Sequence, residues 1–468
     1  MSMRSGARIH LALHPVAAVH RTAAGCFRIQ GFGRSVSTWR VGPGVRAALR
    51  RLAGAGMTED ALSDLVLRHD GGAALPAWFF LLAQAESAGL LCRVLVIRGR
   101  PVARARFATG APPRERARAH VLSRFAILRR EGDIALLESA RSPAAVELLD
   151  PRAGAVLAAM TSPGTMRSWR TTSHAPAAWV EGLATLLQLA GMLRPADDSG
   201  RSDEDRDPAL THWELADALL HAASRDPRRA AGFGGSYPGR DTRPPLPAVK
   251  PPMSAETIAL ARPEAPGAAP PLFDTLAARR SVRRYGRRPI TLQQLGEFLW
   301  HSARVMRTIA AARPELPYDA TLRPSPSGGA CHPLKLYVAA GRCEGLPVGL
   351  YHYDPAAHRL ELLRQARWAV RGLLAGTRLP VPRYGARQVL IVLTARFGRT
   401  SWKYRGMAYT VVLKDVGALL QTMYLVATAM GLAPCAVGAG DGGFLARAIG
   451  VDPMEEGAVG EFMLGSRP

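Results

Sequence analysis

Acidic side chains are scarce in this chain: 37 against 61 basic ones in 468 residues, a formal net charge of +24. Lysine is scarcer still, confined to Lys250, Lys335, Lys403 and Lys414, so that every other basic residue is arginine. Such a bias reads either as a compositional habit or as attraction to an acidic partner, whether nucleic acid, anionic membrane or acidic peptide. The arginines are spread along the chain, with no aromatic-interleaved patch and no nucleic-acid motif, which favours the first reading and argues against nucleic acid. The five cysteines (Cys26, Cys92, Cys331, Cys343, Cys435) are scattered, with no C-x-x-C spacing. Neither a disulfide framework nor a zinc ribbon is expected from them, and no metal site. The N-terminus lacks a clear apolar h-region and cleavage site. Residues 416–440 carry no charge and are long enough to span a membrane. Gln421, Thr422, Thr428 and Pro434 interrupt that run, and it ends in Gly-Ala-Gly-Asp. A core helix running into a strand and a turn fits it better than a span. The expectation is a cytoplasmic protein with no membrane partner.

Hydrophobic content of 48% and charged content of 21% are those of a globular chain, and the length calls for two or three domains. Two stretches lack apolar periodicity: residues 197–207, polar and charged, and residues 240–271, rich in proline and expected to be extended with little packed structure. A short helix is expected between them at residues 210–223. Upstream lies a weak duplication. Its first copy has strands at 26–32 and 37–41, a helix at 45–52, a polar turn, and a helix at 76–89. The second has strands at 125–128 and 134–138 and helices at 153–160 and 176–191. Proline in the first turn and glycine at the end punctuate the later helix of each copy. The expected organisation is therefore two small winged-helix-like units, residues 1–110 and 111–197, followed by a domain at 208–468 that includes the Pro-rich linker. Winged helices can capture an extended peptide on a sheet edge, brace a structure or bind DNA. No arginine-rich recognition helix favours DNA.

The chemistry-bearing residues begin near residue 276. Arg279, Ser281 and Arg283 alternate, so in an extended segment they project to one face. Two guanidiniums flanking a hydroxyl make a clamp for phosphate oxygens or a polyol chain; the rival reading is a solvated arginine surface. Next comes RPSPSGGACHPLKLYV, residues 323–338. Its glycines, Gly328 among them, let backbone N–H groups approach a flat ligand, and Ser325 and Ser327 can hydrogen-bond a ring edge. His332, before Pro333, reads as a positioned structural group. Lys403 and Tyr404 are adjacent titratable groups. A lysine desolvated beside arginines would lose its proton more readily and could act as a base, with the tyrosine hydroxyl relaying the proton or orienting a substrate. The alternative is a lysine on a solvated helix face. Finally, Gly438, Gly440 and Gly443 match the dinucleotide fingerprint. That reading fails because the parallel strands it needs have no chain left to form them. Val437, Gly438, Ala439 and Gly440 read better as backbone lying against a flat ring.

In this order the four blocks resemble the nitroreductase superfamily, and within it the SagB-type peptide dehydrogenases, or azoline oxidases, of thiazole/oxazole peptide maturation. The pieces that carry the resemblance are PSPSGG with His332-Pro333, GLYHYDP from Gly349, Lys403-Tyr404, and DVGALLQ from Asp415. The resemblance spans residues 210–468 and implies an α+β fold, a homodimer and FMN at the subunit interface. It places Arg279, Ser281 and Arg283 on the phosphate and ribityl chain, and Ser325, Ser327 and Gly328 beside the flavin. Residues 437–440 would face the ring, and Lys403 and Tyr404 would be catalytic. It further implies a precursor peptide as substrate, a cyclodehydratase as partner, and dioxygen as terminal oxidant. Rivals are an NAD(P)H-dependent nitro or quinone reductase, and a degenerate scaffold subunit. Cys331, where a larger apolar residue is usual, and the glycine-rich turn after Gly440 depart from the family pattern.

Overall fold

The structure is a computed structural model that describes residues 6–23, 25–108, 119–229, 233–263, 270–311, 317–365, 367–377, 387–438 and 440–468. The chain forms two compact units, Met1–Phe233 and Gly234–Pro468.

In the first unit, β1 (Ala7–Leu13) precedes a three-stranded antiparallel sheet of β2 (Ala18–Ala23), β3 (Cys26–Gly31) and β4 (Arg34–Ser37). Helices α1 (Pro43–Ala53), α2 (Glu59–Asp70) and α3 (Leu75–Ser87) follow, then β5 (Leu91–Ile97) and β6 (Arg100–Arg106). Helix α2 falls in the expected polar turn. It buries only Leu62 and Val66, too few to show an apolar stripe, yet its start is written in Thr58, whose side chain caps Ala61 N ahead of Glu59 and Asp60. The second half comprises β7 (His120–Leu122), β8 (Ala126–Glu131), β9 (Ile134–Ser139) and β10 (Ser142–Leu148). It continues with α4 (Pro151–Ala159), α5 (Met166–Ser173), α6 (Ala177–Leu189), β11 (Leu193–Pro195), α7 (Asp203–Arg206) and α8 (Leu215–Arg225). One six-stranded sheet, β1-β5-β6-β10-β9-β8, joins the two copies, with β6 pairing β10 from Ala145↔Arg106 to Leu148↔Ala103. The boundary expected at 110/111 lies outside the described residues. Helix α8, expected with the C-terminal domain, belongs to the first unit: Arg124 donates to Leu210 O and Trp213 O just before it.

The second unit is built on seven antiparallel strands in the order β12-β17-β16-β15-β18-β20-β19. They are β12 (Thr257–Ala259), β15 (Leu334–Ala340), β16 (Gly349–Asp354), β17 (Arg359–Arg364), β18 (Val389–Arg396), β19 (Leu432–Val437) and β20 (Glu456–Ser466). A separate hairpin pairs β13 (Arg307–Ile309) with β14 (Ala320–Leu322). Alternation sorts β15 onto two cores. Leu336 and Val338 pack with α10 (Leu292–Ala303) and α13 (Ala408–Ala429). Tyr337 and Ala339 pack with α11 (Arg367–Gly376) and α14 (Gly442–Ile449). The remaining helices are α9 (Leu272–Ala278) and α12 (Phe397–Ser401). Helix α13 is long and apolar enough to cross a membrane by length and composition. Here Val412, Val416, Leu419, Met423 and Ala427 form its buried stripe. It runs into β19, as the helix-then-strand reading expects.

The proline-rich segment opens in a turn, with Arg243 N donating to Gly239 O at 3.1 Å, and residues 244–250 that follow form no regular element but are packed. Arg399 Nη1 donates to Leu246 O at 2.5 Å, Arg396 to Pro247 O at 2.9 Å, and Ala248 N to Asp319 Oδ2 at 2.9 Å. Lys250 Nζ reaches both Glu456 Oε2 and Tyr337 Oη at 2.7 Å. Proline lacks an N–H, so such a strap relies on its carbonyls, and Arg396 of β18 and Arg399 of α12 supply donors.

Candidate active site

Lys403 and Tyr404 continue the turn of α12, with both backbone N–H groups on Thr400 O. Residues 234–239 run alongside them: Tyr237 N donates to Lys403 O at 3.0 Å, Gly239 N to Trp402 O at 3.2 Å, and Gly234 bridges Arg405. Lys403 Nζ sits 5.0, 5.3 and 5.8 Å from the ring centres of Tyr318, Tyr404 and Tyr237, and donates to Tyr318 Oη at 2.6 Å. Three tyrosine rings therefore surround it where arginines were expected. The neighbouring Arg399 is turned away, clamped on Asp319 Oδ1, Asp319 O, Cys331 O and Leu246 O. Tyr318 Oη in turn donates to Gly329 O at 2.5 Å. Gly329 has φ 63°, and a Cβ there would collide with Lys403 Nζ and stand 2.6 Å from Tyr404 Oη. Glycine is required at this point both for its backbone and for the space above it. Burial raises the hydroxyls of Tyr318 and Tyr404 above the ordinary tyrosine range, so both are protonated near neutral pH.

The loop before β15 is braced from α13. Ser327 Oγ donates to Asp415 Oδ2 at 2.6 Å, Gly328 N donates to Asp415 Oδ1 at 3.0 Å, and His332 N donates to Ser327 Oγ at 2.9 Å. Burial pushes the Asp415 carboxyl above its usual value, opposed by those two hydrogen bonds. The Ser327 hydroxyl proton is thus committed to Asp415, and the loop presents backbone rather than this side chain. A Cβ on Gly328 would strike Val411 of α13. Ala330 and His332 hold φ 53° and 42°, left-handed conformations that cost side-chain-bearing residues energy and persist only where surrounding contacts over-determine them. Burial, with Arg323, Lys335 and Arg399 adding, depresses the His332 imidazole to about 3, so it is neutral. Ser325, also buried, lines a small cavity with Arg323, His332 and Asp415.

The arginine–serine run gathers at the other end of α13. Ser281 Oγ lies 2.8 Å from Tyr424 Oη, which accepts Ala436 N at 2.7 Å, and the Arg279 guanidinium lies 5.4 Å over the Tyr424 ring. Val282 N donates to Pro434 O, and Arg283 hydrogen-bonds the Cys435 thiol. Neither Arg279 nor Arg283 meets a carboxylate among the described residues. Tyr424 therefore joins this run to the end of β19, where Val437 is buried. At Gly438 no atom lies within 4 Å of where a Cβ would be, so its backbone is open. Ala439 lies outside the described residues. Gly440 packs against the Glu461 carboxylate. Asp441 caps α14 through Phe444 N at 2.9 Å, and β19 and β20 are antiparallel, so the glycine pattern belongs to a cap and not to a dinucleotide fold.

The sequence-derived residues thus fall into two groups on one helix. Lys403, Tyr404, Ser325, Ser327 and Gly328 stand at the Asp415 end; Arg279, Ser281, Arg283 and residues 437–438 stand at the Tyr424 end. Asp415 and Tyr424 are nine positions apart, about 13.5 Å of helix. Sequence reading missed Tyr237, Tyr318, Tyr424 and Arg399. Asp415 stood in a quoted motif without a role.

A seven-stranded antiparallel sheet between helical layers, with a caged lysine beside its long helix, gives the second unit an α+β architecture. Residues 276–466 match the nitroreductase family, residues 120–230 cyanobactin oxidase ThcOx, and residues 27–111 the ThcOx helix-turn-helix domain. The nitroreductase MJ1384 of Methanocaldococcus jannaschii is 30% identical over 168 residues, 36% of this chain and 78% of that protein. The chain belongs to the nitroreductase family. It is also 34% identical over 110 residues to the trifolitoxin-processing protein TfxB of Rhizobium leguminosarum bv. trifolii, covering 23% of this chain and 30% of TfxB. To the microcin B17-processing protein McbC of Escherichia coli it is 30% identical over 116 residues, 24% of this chain and 42% of McbC. The resemblance to SagB-type peptide dehydrogenases, carried in the sequence by Lys403-Tyr404 and Gly349–Asp354, agrees with these matches.

Proposed function

We propose that this chain dehydrogenates azoline rings to azoles in a ribosomally made peptide, using FMN. The observation that carries the reading is the convergence of the Lys403 amine and the Tyr404 hydroxyl above Gly329, a base and a neutral proton donor meeting where a side chain is missing. The donor set fits FMN. Two guanidiniums without carboxylate partners among the described residues flank Ser281 and would hold the phosphate and ribityl chain. The open backbone at Gly438 and the braced loop at Gly328 would border the ring. When bound, FMN supplies a two-electron acceptor that dioxygen can reset. Lys403 takes the proton from the azoline ring carbon next to the peptide carbonyl. Tyr404 orients the ring, and the tyrosine cage limits water around the amine.

The substrate would arrive as a precursor peptide already cyclised by a cyclodehydratase. In the first unit, β4 is an edge strand among the described residues, and Arg34, Val36, Phe80 and Gln84 line a groove of about 740 Å³ between β4 and α3. An extended leader would add there as a strand. A homodimer would cover the outer face of α13, where Tyr409 and Leu413 are exposed, and Leu272 and Phe273 on α9. A cytoplasmic location suits this substrate. The test is to release the chromophore of the purified protein by heat, identify it, and then follow azoline peptides by mass. Near-stoichiometric FMN and a loss of two hydrogens per ring are expected. FMN with peptide-independent NAD(P)H oxidation would favour the nitro or quinone reductase instead. A protein that binds no FMN would be a scaffold.

A further inference from the structure

Tyr318 and Lys403 are 85 residues apart in sequence and in contact through one hydrogen bond. A tyrosine has one hydroxyl proton, and that of Tyr318 goes to Gly329 O. Its oxygen can then act toward Lys403 only as an acceptor, and the amine donates to it. An amine that gives one N–H to Tyr318 keeps its lone pair for another direction. Tyr318 is 2% exposed, so water does not compete for the oxygen. Its ring is set by Trp402 and Tyr237, at 6.0 and 6.4 Å between ring centres, and by the Arg399 guanidinium 5.6 Å over its face. Arg399 also grips the neighbouring Asp319.

We propose that Tyr318 is a positioning residue for Lys403: it holds the amine by one N–H so that the lone pair faces the space above Gly329, where the Tyr404 hydroxyl converges. This rests on Lys403 being the base of the proposed reaction. Lysine is a long, freely rotating side chain, and a base that must meet a ring C–H loses rate when it is misaimed. The neutral and charged groups facing this amine are Tyr237, Tyr318, Tyr404 and Cys331, with the Arg399–Asp319 pair behind Tyr318 and Asp415 behind the loop.

The chain's four lysines make a direct test possible. The full-length holoprotein is treated with limiting acetic anhydride, and each lysine is quantified by peptide mass spectrometry. Lys414, exposed on α13, reports the reagent, and Lys335, 2% exposed on β15, reports unfolding. Without the Tyr318 oxygen the Lys403 side chain is free to leave the tyrosine cage and meet the reagent. Tyr318→Phe should therefore raise Lys403 acetylation relative to Lys414 by about tenfold, with Lys335 still protected. In the same protein kcat on an azoline peptide should fall about tenfold or more while KM stays within about twofold. Opposite changes in reactivity and turnover distinguish misaiming from collapse. An unchanged Lys403:Lys414 ratio overturns the assignment, whatever the activity. If the wild type oxidises no azoline peptide, the proposed reaction fails while the acetylation ratio still decides Tyr318. If Lys335 becomes labelled in Tyr318→Phe, 3-fluorotyrosine at position 318 weakens the acceptor without changing shape, and the same ratio decides.

Discussion

The two ends of α13 solve opposite problems. At the Asp415 end, Ser327 and Gly328 are held by Asp415, and Lys403 by Tyr318, through hydrogen bonds of 2.6–3.0 Å. At the Tyr424 end Arg279 and Arg283 carry charge that no carboxylate among the described residues offsets. A closed network holds atoms in place, which acid–base chemistry requires. Guanidiniums without a carboxylate are what the proposed binding of the FMN phosphate requires. Under the proposed function one helix separates aiming from holding, and substitutions at its two ends should fail in different ways.

The largest effect belongs to the closed end. Lys403→Ala should lower azoline turnover by about 10²–10⁴, the range for a lost general base, while the purified protein keeps its FMN. Turnover that survives would remove Lys403 from the chemistry, and loss of FMN together with turnover would erase the distinction between the ends. At the open end the failure should be in binding. Arg279→Ala should weaken FMN by about ten- to a hundredfold, the worth of a hydrogen bond to a charged group, with kcat nearly intact once FMN is saturating. Fluorescence titration of the stripped protein reads this directly. An unchanged FMN affinity would mean that Arg279 serves only to cover the Tyr424 ring.

The same comparison explains what sequence reading could and could not reach. The alternation of Arg279, Ser281 and Arg283 is local, a period of two in an extended segment, and was legible. Its anchor Tyr424 is 143 residues away from Ser281 and lies inside an apolar run where a tyrosine looks like any core residue. Ser327 was legible as a polar loop residue but was read as facing a ligand, because nothing local reveals that Asp415, 88 residues on, takes its proton. Lys403 stood out through the rarity of lysine, yet its surroundings come from three separate segments, at Tyr237, Tyr318 and Gly329. Periodicity reports which face a residue occupies; it carries no information about which distant segment closes over that face. The strap at residues 246–250 repeats the lesson, since its prolines were legible while its docking depends on cations from β15, β18 and the helix after it.

The smallest effect tests how tightly the closed end is drawn. Burial raises the Asp415 carboxyl above its unfolded value, so the folded protein holds that proton more tightly than the unfolded chain does. The stability this group contributes is then full below the unfolded pKa, about 4, and is lost as pH rises through the folded value. Asp415→Asn removes that ionisation and keeps an acceptor for Gly328 N. Thermal unfolding of wild type and variant should agree most closely in acid, and the variant should gain on the wild type as pH rises toward neutrality, by on the order of a few degrees in Tm. A gap that ignores pH would mean that Ser327 and Gly328 fully offset the buried charge. The brace would then cost the fold nothing.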